Sequence, residues 1–112
     1  MIPFLLSACD EDTSEQKVIV EGYRLNMADD GTFAVFPHGS HAGLAITQIG
    51  WRQPFILAAT SDGHYEIFDT STNSEQLFLS ADQVRADSRV RDIPLISAEI
   101  AWKQLDQEKS QW

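Results

Sequence analysis

The sequence predicts an α+β fold: an antiparallel sheet of about five or six strands with one or two C-terminal helices packed on it. Three observations carry that expectation. Short β-branched and aromatic runs recur between glycine-containing turns as far as residue 69. Ser80-Ala81-Asp82-Gln83 has the spacing of a capping box that opens a helix. Leu95, Ala98, Trp102 and Leu105 fall at helical spacing on one side, with Ala101 beside them. Strands precede helices instead of alternating with them, which points away from a parallel βαβ arrangement.

Taken in order, "KVIVEGYR" (17–24) reads as the opening strand, since Val18, Ile19, Val20 and Tyr23 favour extended backbone. In "MADDGTFAVF" (27–36), Asp29-Asp30-Gly31 separates apolar runs as a hairpin turn, and "FAVF" is the returning strand. "PHGSHAG" (37–43) is a loop, broken by Pro37, Gly39 and Gly43. "LAITQI" (44–49) resumes as a strand, and residues 50–54 form the next bend. "FILAATSDGHYEIFD" (55–69) gives two short strands joined through Ser61-Asp62-Gly63. "TSTNSEQ" is a loop, and Leu77-Phe78-Leu79 a short edge strand. A brief helix over 81–87 follows Ser80, and Pro94 is placed in the first turn of a final helix, where its missing N–H costs nothing.

At 112 residues the chain fits one domain, and 43% hydrophobic residues supply a core without staples. Eight basic against 17 acidic residues give a net charge of −9, which argues against a nucleic-acid partner, since binding phosphates needs a basic face. One cysteine excludes a disulfide framework and a CxxC metal or redox pair. Cys9 stands before Asp10, Glu11 and Asp12, which disfavour both burial and a thiolate, so a nucleophile is a poor reading.

Leu6-Ser7-Ala8-Cys9 resembles a bacterial lipoprotein lipobox. The resemblance implies a remnant signal peptide over residues 1–8, cleavage before Cys9, and a diacylglycerol on its sulfur. Met1 to Leu6 lacks the basic residue and the full apolar length of such a leader, so either the true start lies further upstream or the match is accidental. Residues 9–16 would then be a lipidated acidic tether, with Asp10 and Glu11 as sorting residues for the periplasmic face of the inner membrane. Residues 17–106 form the α+β domain and 107–112 a polar tail. "IGWRQPFILAATSDGHYEIFD" with "AEIAWKQL" is also loosely similar to small bacterial lipoproteins of uncharacterised family, a likeness that implies a fold more than an activity.

His38 and His41 form an HxxH in a loop, with His64 after a turn; folding would have to join them to make a metal face. Ser40 beside His41 lacks a nucleophile elbow and an orienting third partner. Trp51, Phe55 and Tyr65 are candidates for a binding platform, although aromatics in strands mostly pack. No catalytic residue, metal site or cofactor is assigned. The expected function is that of a non-enzymatic protein-binding module anchored in the bacterial envelope through Cys9. The alternative is a soluble, cytoplasmic acidic immunity protein neutralising a basic toxin, and the third reading is a small metal-dependent hydrolase using His38, His41 or His64.

Overall fold

The computed structural model describes residues 15–20, 22–36 and 45–105. Among them, strands β1 (Glu15–Val20), β2 (Tyr23–Met27), β3 (Phe33–Phe36), β4 (Ile46–Arg52), β5 (Phe55–Thr60), β6 (Tyr65–Asp69) and β7 (Ser74–Leu79) form an antiparallel meander in chain order. Helix α1 (Ala81–Ala86) follows, then the two-residue strand β8 (Ile96–Ser97), which pairs with β4, and helix α2 (Ala98–Leu105). The α+β class is as expected, but the sheet has more strands than five or six.

Two places account for the excess. Gly22, at φ +87°, reverses the chain inside the segment 17–24, so one expected strand is two, with Val20 opposite Tyr23. Only glycine enters that region without steric cost. Pro94 does not open a helix; it precedes an extended pair, Ile96 and Ser97, that hydrogen-bonds to β4 at Ile49 and Gln48. Helix α2 begins after Ser97, whose hydroxyl accepts from the Ile100 amide at 3.1 Å. Leu95 consequently leaves the expected helical stripe and packs on the second core. The strand expected over 44–49 runs on to Arg52, and the edge strand β7 starts three residues earlier than expected, at Ser74.

The β5–β6 hairpin forms as predicted, with Gly63 at φ +91°. The capping box forms too: the Ser80 hydroxyl accepts from the Gln83 amide, and the Gln83 side chain accepts from the Ser80 amide at 2.8 Å.

The sheet is rolled. Strand β3 meets β4 through a single pair, Phe33 and Ile46, after which the same edge of β4 turns to β8. The β1–β3 ribbon is thereby free to fold over the sheet. Four strand spacings separate β2 from β6, about 19 Å in a flat sheet. Yet the Tyr23 and Phe68 rings lie 6.4 Å apart, and the Tyr23 hydroxyl donates to Asn73 Oδ1 at 2.7 Å. Inside the roll lies the principal core, where Ile19, Leu25, Val35, Ile49, Ile56 and Phe68 meet Ala98, Ala101, Trp102 and Leu105 of α2. Lys17 covers Trp102, its ammonium 4.2 Å from the ring centroid and 3.2 Å from the Trp102 carbonyl oxygen. On the other face, Leu57 and Ile67 pack beneath α1 and the segment after it, with Val84, Val90 and Ile93.

Gly50 lets β4 and the Pro94 segment approach. A Cβ there would sit 2.2 Å from the Pro94 carbonyl oxygen and 2.8 Å from Ile93 Cγ2. Backbone cannot yield as a flexible side chain can, so Gly50→Ala is expected to destabilise by about 1–3 kcal/mol, the usual cost of overpacking. Urea unfolding checks it, and an unchanged midpoint would contradict the packing described.

Candidate functional site at the acidic sheet edge

The chemistry-bearing side chains gather where the β5–β6 hairpin tip meets edge strand β7. At the tip, the Thr60 hydroxyl bonds Asp62 Oδ1, and the His64 amide donates to Thr60 Oγ1 at 3.1 Å. The His64 ring turns back, its Nδ1 3.1 Å from Asp62 Oδ1. The hydroxyl of Thr60, then His64, hold the Asp62 carboxyl below the ordinary carboxylate range. Much of this is turn chemistry, in which a short acid satisfies its own neighbours.

The next residue of the same parity, Glu66, is different in kind. Glu66 pairs with Ala58 on the face that carries Ile56 and Phe68, so strand alternation turns it into the roll. It is 2% exposed, and among the described residues it is the sole buried carboxylate. Its Oε1 has no hydrogen-bond partner there. Burial first, then the charges of Glu75 and Asp62, push its pKa up to about 7. Glu75 shares this face, opposite Phe68. Burial, with Glu75 and Asp69 nearby, also raises Tyr23 above its ordinary value.

Opposite Glu66, β7 bulges: Tyr65 pairs with Leu79 but Ile67 with Gln76. The extra length is absorbed at Phe78, at φ +63°, a conformation that is a genuine outlier for a bulky side chain. Phe78 stands 53% exposed and meets the His64 ring edge-on at 6.1 Å. The site therefore combines an exposed aromatic in strained backbone, an imidazole and several carboxyl groups. Such a surface suits holding a cationic group more than activating a nucleophile.

Of the residues singled out from sequence, His64 is in this site. Trp51 and Tyr65 do not form one platform: Trp51 packs on the principal core and lines a cavity of about 230 Å³ with Pro94, Ile96 and Gln104, whereas Tyr65 faces the second core. Cys9, Asp10, Glu11, His38 and His41 lie outside the described residues. Among the described residues, no cluster of three or more His, Cys, Asp or Glu is arranged to hold a metal ion, and no helix is long and apolar enough to cross a membrane. Sequence reasoning missed Phe78 as a site residue and Glu66 as a buried acid. The latter had a signal in its parity with Phe68. Compared with family models, curated proteins and solved structures, the chain shows no match.

Glu66 makes stability depend on pH in a definite direction. Its folded pKa of about 7 exceeds the ordinary 4.5. Below pH 4.5 both folded and unfolded states hold the proton and nothing is lost. Between 4.5 and 7 only the folded state keeps it, so stability falls as pH rises and levels off above 7. Discounted for solvent screening, the loss is on the order of 2 kcal/mol. Urea midpoints are expected to drop between pH 5 and pH 8, and Glu66→Gln to remove most of that drop. A wild-type midpoint flat or rising over this interval would refute the buried, protonated carboxyl.

Proposed function

We propose that this chain is a non-enzymatic protein-binding module of the bacterial envelope, tethered through lipid on Cys9 and offering its acidic β6–β7 edge to a basic partner. The observation that carries the reading is the juxtaposition of exposed Phe78, in left-handed backbone, with Asp62, His64 and, on the same edge strand, Glu75. Aromatic side chains standing out of a surface supply the anchor of many interfaces, while surrounding charge sets on-rate and partner choice. A chain of net charge −9 would be drawn to a cationic protein over distances of about a Debye length. Edge strand β7 adds backbone groups: among the described residues it pairs with β6 alone.

Asp10 and Glu11 would retain the lipidated form on the periplasmic face of the inner membrane. The same acidic edge fits a soluble inhibitor of a basic toxin, and anchoring separates the two readings. Expressed with its native upstream region, the protein is expected to be cleaved before Cys9, to carry added diacylglyceryl mass and to fractionate with membranes, all lost in Cys9→Ser. An unmodified soluble product would transfer the edge to the inhibitor reading. For the edge itself, a photo-crosslinking residue at position 78 is expected to capture a basic protein in a salt-sensitive manner, suppressed by Glu75→Lys. Equal capture from position 100, on the outer side of α2, would defeat the assignment.

A further inference from the structure

The opposite face of the sheet carries a second feature, where three arginines stand among Asp82, Asp87 and Asp92. Of the eight Lys and Arg residues in the chain, three fall in seven positions, Arg85, Arg89 and Arg91. Two of these guanidinium groups are committed. Arg89 clasps the Asp87 carboxylate and donates to Gln76 Oε1 at 2.6 Å, and Arg85 pairs with Asp82. Arg91 differs: among the described residues its side chain makes no ion pair or hydrogen bond.

Arg91 and Arg85 stand on a hollow of about 170 Å³ between α1, the segment after it and the sheet. Leu57 and Tyr65 line it from the sheet, Val84 from α1 and Ile93 from the following segment. Apart from the Tyr65 phenol and the two guanidinium groups, these are apolar side chains of the second core. An apolar hollow with a few convergent polar groups is the usual form of a small-molecule site. Its size is that of about six waters at about 30 Å³ each, room for a ligand of about eight heavy atoms.

From this geometry we infer that the hollow under α1 binds a compact monocarboxylic acid, its hydrocarbon body against Leu57, Val84 and Ile93 and its carboxylate on Arg91. A guanidinium fork matches a carboxylate with two parallel N–H···O bonds. The surrounding chain is strongly acidic, so an anion finds its complement at few places on this molecule, and an uncommitted arginine beside an apolar hollow is one. The site lies across the sheet from the acidic edge and does not depend on the function proposed for that edge.

The test is a titration of the full chain with hexanoate and, separately, hexan-1-ol, followed by methyl NMR. Hexanoate is expected to shift the methyl signals of Leu57, Val84 and Ile93 and to saturate with a Kd of about 1 mM or tighter, a modest affinity for so small a ligand. Arg91→Gln is expected to weaken hexanoate about tenfold, the worth of a charge-assisted hydrogen bond, while leaving hexanol unchanged. Arg91→Lys should keep part of the binding, and since Arg91 is exposed, both variants should retain the wild-type amide spectrum. The proposal is overturned by any of three results: no methyl shift up to about 20 mM, equal binding of acid and alcohol, or an Arg91→Gln affinity equal to wild type.

Discussion

The whole structure depends on how β4 divides its edge. Over one residue pair, Phe33 with Ile46, it belongs to the β1–β3 ribbon; two residues later the same edge hydrogen-bonds to Ile96 and Ser97. A sheet whose strands part in this way cannot remain flat, because the ribbon is released to close over the face it would otherwise extend. Closure buries Ile19, Leu25 and Val35 against Ile56 and Phe68, and places Tyr23 on Phe68. The stub of strand that displaces the ribbon also sets the direction of α2, which fills the roll with Ala101, Trp102 and Leu105. Apolar burial supplies the driving force, and the divided edge decides where it is spent.

Glu66 is a consequence of that closure. In an open sheet its carboxyl would face water; in the roll it shares a face with Phe68 and must keep its proton at moderate pH or bear an unpaired charge. A core of this size could have placed an apolar side chain there. Glu66 and Asp69 point to opposite faces, as strand parity requires, so they do not act as a carboxylate pair. The bulge at Leu77 and Phe78 lies directly across from Glu66, putting the strained backbone and the buried acid at the same place on the sheet edge.

Local signals in the sequence were legible where local chemistry decides structure. Ser61-Asp62-Gly63 specifies its turn by side-chain hydrogen bonds and a positive φ, and Ser80 with Gln83 specifies a helix start by mutual capping; both formed. The stripe of Ala98, Trp102 and Leu105 was readable because a helix with one buried face imposes its period. Signals with two valid meanings misled. Gly22 inside a β-branched run can be a weak point in a strand or a reversal, and only pairing with β2 chooses. Pro94 suits a helix start equally as an extended approach, and the open edge of β4 made it the latter. Nothing local marks Phe78 for left-handed backbone, since its φ is imposed by register with β6. The candidate site was correspondingly half visible: His64 was identifiable by type, while Glu66 and Phe78 acquired their character from closure.

The two-sided cover of the β5–β6 hairpin has a further result for charge. On one side of β6 the edge collects Asp62 and Glu75; on the other, α1 and the segment after it carry Arg85, Arg89 and Arg91 among Asp82, Asp87 and Asp92. Arg85 and Arg89 are neutralised by Asp82 and Asp87, so what this face offers an anion is the local contact of Arg91 beside the hollow, on the side away from the acidic edge. The surfaces are separated by one strand, and adjacent residues of it serve both: Tyr65 lines the hollow under α1, and Glu66 enters the roll. Alternation along β6 thus lets each face be occupied without a steric demand on the other. Coupling between them has two routes, the backbone of β6, held by ladder hydrogen bonds to β5 and β7 on its two edges, and Gln76 of β7, which accepts from Arg89 at 2.6 Å.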